Sequence, residues 1–235
     1  SLPVDVVLAK CIVAAAKEGC TEDMCRIAAM VTATDRASIF DIDPYGADKK
    51  NLETLKISRN ADTEADGDHL TMLYIYNEWI ENKRSKQWCE DGKFNYKVLN
   101  TAHGLLKKIH KSLSKCGIPF TDDRGRDRSE TKECLLKALS IGMMDNVAVA
   151  TDPNKPTSPF ELVDGAAIVP TAVNIHPSSV FGNVKTATYP IQNILFNKFA
   201  VSKKGKRFVQ CITAITDDTL LAAKKEIVDD STFQE

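Results

Sequence analysis

Apolar residues recur at helical spacing through the N-terminal part of the chain. Helical spacing relates Val6, Val7, Cys11, Ala14 and Ala15. Gly19 is expected to end that helix, because glycine commonly follows a last helical turn. Thr21 is predicted to cap a second helix, and a third helix is predicted to start at Asp68. Residues 41–66 are mostly polar, which predicts a loop with at most a short helix near 49–55.

The segment from Lys93 to Lys115 has the clearest helical pattern. At about 100° per residue, Leu99, Leu106 and Ile109 share one side of the predicted helix. A second side carries a lysine stripe, which consists of Lys97, Lys108, Lys111 and Lys115. The pattern predicts one buried face and one cationic face. A solvated surface and a contact for phosphate groups both remain open as its role.

After a further predicted helix over residues 130–141, the pattern becomes strand-like at about Asp145. Short segments rich in β-branched and aromatic residues alternate there with turn residues. The predicted strands are Val147–Val149, Ala167–Val169, Val173–Ile175, Ile194–Val201 and Arg207–Ile215. A closing amphipathic helix is predicted over 218–228. The fold class is therefore α+β, with a helical bundle over residues 1–144, then a small antiparallel β-barrel and a C-terminal helix over residues 145–235.

A cationic hairpin joins the last two predicted strands. Its tip carries Lys203, Lys204 and Lys206, and Arg207 opens the next strand. Lysines at such a tip commonly protect a sheet edge and keep the protein soluble. A cationic loop on a small barrel also suits contact with a nucleic-acid backbone.

Charge and cysteine content limit the partners. Lys and Arg number 31 against 32 Asp and Glu, so the net charge is −1 and any contact with nucleic acid has to come from a local cluster. No apolar run reaches the roughly 20 residues of a membrane span, so no membrane partner is expected. Seven cysteines without a C-x-x-C pair argue against a disulfide framework and a zinc ribbon, and favour an intracellular, reducing compartment with no bound metal.

The sequence contains none of the common catalytic motifs. The phosphate-binding pattern G-x-x-x-x-G-K-[ST], the serine-hydrolase pattern G-x-S-x-G and the zinc-protease pattern H-E-x-x-H are all absent. No catalytic residue is therefore assigned in this chain. A nucleophilic site built from Cys and His stays an alternative without a local signature.

Two motifs taken together point to a family. The first begins with Gly67-Asp68-His69-Leu70-Thr71-Met72-Leu73, and the second is Ile175-His176-Pro177-Ser178-Ser179-Val180. With helices between and strands around them in the same order, the chain resembles the C-terminal helicase-associated (ratchet) region and the oligonucleotide-binding (OB) barrel of DEAH-box RNA helicases. The resemblance covers nearly the whole chain and implies that the predicted barrel is of the OB type.

The resemblance also implies what lies outside this region. Two RecA-like ATPase domains and a winged-helix domain would precede it, and ATP and Mg²⁺ would be cofactors of those domains, with none bound here. The implied partners are single-stranded RNA, those domains of the same polypeptide, and an activator protein with a glycine-rich motif. The implied role is to grip and guide RNA in an ATP-dependent helicase that remodels RNA or RNA–protein complexes, in pre-mRNA splicing in the nucleus.

The residues expected to contact RNA come from both motifs and both cationic clusters. Asp68, His69 and Thr71 also fit a structural role at a helix start, and the turn at His176 also fits a simple link between strands. Trp79 and Trp88 fit the core better than base stacking. The full expected set is Asp68, His69, Thr71, Lys97, Lys108, Lys111, Lys115, His176, Ser178, Ser179, Lys203, Lys204, Lys206 and Arg207.

Three alternatives compete with RNA guidance in splicing. A protein-interaction platform that docks a helicase activator would bind a peptide without salt dependence, whereas RNA binding would weaken with salt. A helicase of ribosome biogenesis would share the same RNA contacts. A self-contained Cys/His enzyme would show turnover by this chain alone.

Overall fold

A computed structural model of the chain describes residues 2–35, 37–40, 67–118, 127–155, 158–164, 167–181 and 191–232. Within them a helical bundle is followed by a closed five-stranded barrel and a C-terminal helix, which confirms the predicted α+β class. The helices are α1 (Val6–Glu18), α2 (Thr21–Ala33), α3 (Asp68–Glu81), α4 (Lys86–Asp91), α5 (Tyr96–Cys116), α6 (Arg128–Gly142) and α7 (Asp217–Thr232). The strands are β1 (Val147–Ala150), β2 (Phe160–Asp164), β3 (Ala167–Ile175), β4 (Asn193–Val201) and β5 (Arg207–Ile215).

The turn between α1 and α2 confirms one prediction and corrects another. Gly19 ends α1 in the left-handed conformation, with φ at 79°, and its N–H donates to the carbonyl of Ala15. Thr21 does not cap α2, because it is already inside the helix with its side chain buried. Cys20 takes the cap position, and its side chain does not cap the helix.

The ends of the later bundle helices also follow from local hydrogen bonds. Helix α3 begins at Asp68, as predicted. Helix α5 begins at Tyr96 and not at Lys93, because the Asn95 side chain accepts the first free N–H groups of the helix. Asp127 caps α6 in the same way. The predicted loop over residues 41–66 and its short helix lie outside the described residues.

The barrel has the strand order β1-β2-β3-β5-β4 and closes by pairing of β1 with β4. Its pairs are antiparallel apart from β3 and β5, which run parallel over Asn174 and Ile175. Two strand predictions were wrong: residues 167–169 and 173–175 belong to one strand, and β2 was not predicted. The register shifts between Glu161 and Leu162, and this bulge lets β3 continue past Pro170, which has no N–H to give to a ladder.

The bundle and the barrel pack directly against each other. Val147, Leu195 and Ile215 from the strands belong to the same buried cluster as the helices of the bundle. Helix α7 packs on α6, where Lys137 bridges Glu18 of α1 at 2.6 Å and Glu226 of α7 at 2.7 Å. The division of the chain at residues 144 and 145 stays a prediction. None of the described helices combines the length and apolar character that a membrane span needs.

Candidate nucleic-acid interface

The two sequence motifs meet where the bundle joins the barrel. One carboxylate oxygen of Asp68 accepts the N–H of Val180, directly after the Ser178-Ser179 turn, at 2.8 Å. The other oxygen accepts the N–H of Ile212 in β5, also at 2.8 Å. The side chain is therefore bonded to two separate segments of the barrel from the first turn of α3.

His69 continues this joint into the strands. Its Nδ1 lies 2.7 Å from the Thr213 hydroxyl, and its Nε2 hydrogen-bonds to the amide oxygen of Asn197. Because an amide oxygen only accepts, Nε2 carries the proton and Nδ1 accepts from Thr213. Burial lowers the pKa of His69 to about 4, so the imidazole is neutral at physiological pH.

Gly67 allows the backbone at the start of α3 to approach the backbone of β5 closely. It forms an antiparallel bridge with Thr213, and its φ of 116° is in the region that side chains disfavour. A Cβ atom at this position would lie 2.7 Å from the Thr213 Cα atom and closer still to the Ile212 carbonyl oxygen. The hydroxyl of Thr71 donates back to the Gly67 carbonyl at 2.8 Å.

The first motif is thus placed inside the protein. Asp68, His69 and Thr71 are 8%, 0% and 3% exposed, and their polar atoms bond to other parts of the chain. Asp68 and His69 hold the bundle to the barrel, and Thr71 closes the first turn of α3 onto Gly67. That they contact RNA stays a prediction.

The second motif forms a compact turn after β3. The Nδ1 atom of His176 accepts the N–H of Ser178 at 3.1 Å, and the Ser178 hydroxyl lies 2.7 Å from the same atom. Burial lowers the pKa of His176, and its ring meets Phe208 edge-on with centroids 5.5 Å apart. Ser179 is buried and its hydroxyl accepts the N–H of Phe181, whereas Ser178 is exposed. The His176 end of the turn therefore lies beside the start of β5.

The β4–β5 hairpin places its cations in solvent. Ser202 and Lys206 close the tip with a backbone hydrogen bond of 2.8 Å, and the Ser202 hydroxyl accepts the Lys206 N–H at 3.0 Å. Lys203, Lys204, Lys206 and Arg207 are all exposed. Within the part of the chain that the structure describes, no carboxylate forms an ion pair with these four side chains.

The lysine stripe lies on a different element, α5. Lys97, Lys108, Lys111 and Lys115 are all exposed, as the helical pattern predicts. The opposite face, with buried Leu99, Leu106, Ile109 and Leu113, packs against α2. The structure thus joins the two motifs and the hairpin around the barrel, while the stripe forms a second cationic surface on the bundle.

The two tryptophans belong to the hydrophobic core, as the sequence predicts. Trp79 is fully buried, and Trp88 stacks on Phe94 with ring centroids 5.0 Å apart.

A cleft beside the joint was not predicted from the sequence. It has a volume of about 330 Å³, and its lining includes Lys198 and Gln210, which pair directly across β4 and β5. Lys198 forms an ion pair with Asp35, with 2.5 Å between Nζ and Oδ1. The available signal for a polar site was Lys198 itself, a charged residue in the middle of a predicted strand. No cluster of His, Cys, Asp and Glu suited to a metal ion occurs among the described residues.

Comparisons with known proteins agree with the family that the two motifs indicate. The model of the helicase associated domain (HA2), ratchet-like, matches residues 5–72. Probable ATP-dependent RNA helicase DHX35 of Homo sapiens is 26% identical over 219 residues, which are 93% of this chain and 27% of the relative. Putative pre-mRNA-splicing factor ATP-dependent RNA helicase DHX32 of Xenopus laevis is 27% identical over 224 residues, 92% of this chain and 27% of the relative.

A shorter match has higher identity. The probable ATP-dependent RNA helicase DHX35 homolog of Caenorhabditis elegans is 31% identical over 136 residues, 57% of this chain and 18% of the relative. The chain spans about a quarter of the length of the vertebrate relatives.

Proposed function

We propose that this chain, which is homologous over most of its length to the DEAH-box ATP-dependent RNA helicases and contains a helicase-associated, ratchet-like domain, guides single-stranded RNA within such a helicase. The strand would pass over exposed cations of the barrel and the bundle. ATP hydrolysis and unwinding would be performed by RecA-like domains elsewhere in the polypeptide, with ATP and Mg²⁺ as their cofactors.

One observation carries the proposal: the exposed cations Lys203, Lys204, Lys206 and Arg207 sit on the β4–β5 loop of a five-stranded barrel. In OB barrels the β4–β5 loop is one of the loops that contact oligonucleotides. Exposed lysine and arginine side chains bind phosphates independently of base sequence, which suits a guide that accepts any strand. The barrel is proposed to be of the OB type on this basis.

The cellular setting belongs to the proposal as well. A relative named as a putative pre-mRNA-splicing factor supports a role in splicing, and hence a nuclear location. The RecA-like and winged-helix domains of the same polypeptide are the proposed neighbours of this region. An activator protein with a glycine-rich motif is a further proposed partner.

A protein-docking platform is the second candidate, because α7 presents apolar side chains to solvent. Leu221 is 62% exposed and Val228, seven residues later on the same helical face, is 59% exposed. The net charge of −1 also suits a protein partner. Such a platform would bind its partner with little dependence on salt.

Removal of the hairpin cations tests RNA guidance. In the 235-residue chain, replacement of Lys203, Lys204, Lys206 and Arg207 by Ala should weaken binding of a fluorescein-labelled 12-nucleotide single-stranded RNA in anisotropy titrations. The slope of log K against log salt should become shallower by about 1–2, because the hairpin is expected to supply two or three of the phosphate contacts and each accounts for roughly 0.7. Stability should stay within about 0.5 kcal/mol, because the side chains are exposed.

The matched control replaces Lys224 and Lys225, which are exposed on α7, by Ala. This control should bind RNA as the wild type does. If the hairpin variant and the control bind equally well, the hairpin serves solubility only and the docking platform becomes the better account.

A further inference from the structure

The lining of the cleft at the joint includes both polar and apolar side chains. Among the polar ones are Lys198, Gln210 and the exposed Ser178 of the second motif. Among the apolar ones are Phe40 and Met72. At about 330 Å³ the cleft is at the lower end of the range for small-ligand sites, about 300–1,000 Å³, which is enough for one nucleotide unit but not for a folded element.

The ammonium group of Lys198, which lines the cleft, is paired with a carboxylate of the same chain. Lys198 on β4 forms its ion pair with Asp35, the second residue after α2 ends, so the pair connects the barrel to the bundle beside the cleft. The Lys198 side chain is 31% exposed and that of Asp35 is 52% exposed. Ion pairs between groups that water reaches in this way contribute little net free energy, because water screens them and holding both side chains costs entropy.

We propose that the cleft binds one nucleotide of an RNA strand, that Lys198 neutralises its phosphate, and that Asp35 competes with this phosphate for Lys198. The inference rests on the proposed function, since it takes RNA as the ligand. A lysine ammonium on a flexible stem exchanges one anion for another without a change in backbone. Gln210 and Ser178 supply hydrogen-bonding groups, and Phe40 and Met72 supply apolar contact for the base.

Asp35 therefore limits how tightly the strand is held. When a phosphate enters, Lys198 leaves the carboxylate; when the strand moves on, Asp35 takes the lysine back. Such a competitor weakens each contact and suits a surface over which RNA has to slide. The arrangement makes a directional prediction, because loss of an acidic residue should strengthen RNA binding only while Lys198 is present.

A double-mutant cycle on the 235-residue chain tests this inference with the labelled 12-nucleotide RNA. Asp35→Asn should tighten binding by about two- to fivefold, the factor that corresponds to an exposed ion pair. Lys198→Gln, which keeps most of the stem, should weaken binding and make the salt slope shallower by about 0.7. In the Lys198→Gln background, Asp35→Asn should change the affinity by less than about 1.5-fold, because the two residues act on the same contact.

The matched control is Asp145→Asn, which removes an exposed acidic partner of Lys10 and should leave RNA affinity unchanged. Thermal unfolding should confirm that every variant is folded. An equal tightening by Asp35→Asn with and without Lys198 would mean general charge repulsion and would overturn the inference. No effect of Asp35→Asn, together with weakened binding by the hairpin variant, overturns the inference and leaves the proposed function standing; absence of RNA binding by the wild type overturns both.

Discussion

At the scale of single residues, Asp68 determines how the bundle holds the barrel. Its carboxylate accepts two backbone N–H groups, of Val180 and Ile212, in a site where the side chain is almost completely buried. Hydrogen bonds to a charged group stabilise more than neutral ones, and a buried N–H left without an acceptor costs about 1–3 kcal/mol.

Asp68→Ala should therefore lower the free energy of unfolding by about 3 kcal/mol in urea titrations, because both N–H groups would be left without an acceptor. Asp145→Ala is the control: its exposed pair with Lys10 should contribute no more than about 0.5 kcal/mol. Equal destabilisation by the two variants would mean that the Asp68 contacts do not hold the joint.

His69 makes the stability of the joint depend on pH. Its folded-state pKa of about 4 lies below the unfolded value of 6.5, so the unfolded chain binds more protons between these values. The free energy of unfolding therefore rises with pH: the contribution is complete above pH 6.5 and is lost as pH falls toward 4. Between about pH 7 and pH 5 this amounts to about 2 kcal/mol.

The measurement compares unfolding of the wild type and of His69→Gln at about pH 7 and pH 5. His69→Gln should be less sensitive to this pH change by about 2 kcal/mol, whatever its absolute stability. Subtraction removes the contributions of the other titrating groups, among them His103 and His176, whose pKa values burial also lowers. The same pH dependence in both proteins would contradict a buried, neutral His69.

At the scale of elements, two glycines should respond in opposite directions to the same substitution. Gly104 lies in α5, where a Cβ atom would have no neighbouring atom within 4 Å, so Gly104→Ala should stabilise the helix by about 0.5–1 kcal/mol. Gly67→Ala should destabilise by about 2 kcal/mol or more, because of its positive φ and the approach of the Ile212 carbonyl. Urea midpoints measure both, and effects of the same sign would contradict the described geometry at Gly67.

The elements differ in how well their sequence predicts them. The two faces of α5 were predicted because helical periodicity reports directly which side is buried, and β5 was predicted with its observed ends because turn residues flank it. Strand β3 was divided in two because Pro170 is typical of a strand end, whereas a register shift against β2 accommodates it. Strand β2 is short and begins directly after Pro159, so few residues carry its strand pattern.

At the scale of the whole molecule, long-range contacts were beyond the sequence pattern. Asp68 reaches Val180 and Ile212 across 112 and 144 residues, and no local periodicity encodes such a contact. The two motifs were recognisable together, but their hydrogen bond to each other was not. The ion pair of Asp35 with Lys198 could not be predicted for the same reason, because Asp35 follows a helix of the bundle and Lys198 lies in a strand of the barrel.

The isolated 235-residue chain should not hydrolyse ATP. The sequence contains no phosphate-binding G-x-x-x-x-G-K-[ST] pattern, so the chain has no standard group to cradle the phosphates. A malachite-green phosphate assay with and without RNA should give the rate of a mock-purified blank. Turnover well above that blank would contradict an accessory role and favour an enzyme in its own right.

The salt dependence of RNA binding tests the central claim most directly, namely that local lysine clusters on the barrel and on α5 hold the strand. For the wild-type chain and single-stranded RNA, the slope of log K against log salt should be about −2 to −4, which corresponds to roughly 3–5 phosphate contacts. Replacement of Lys97, Lys108, Lys111 and Lys115 by Glu should weaken binding and make this slope shallower. A flat salt response of the wild type, or unchanged binding by the variant, would contradict the account.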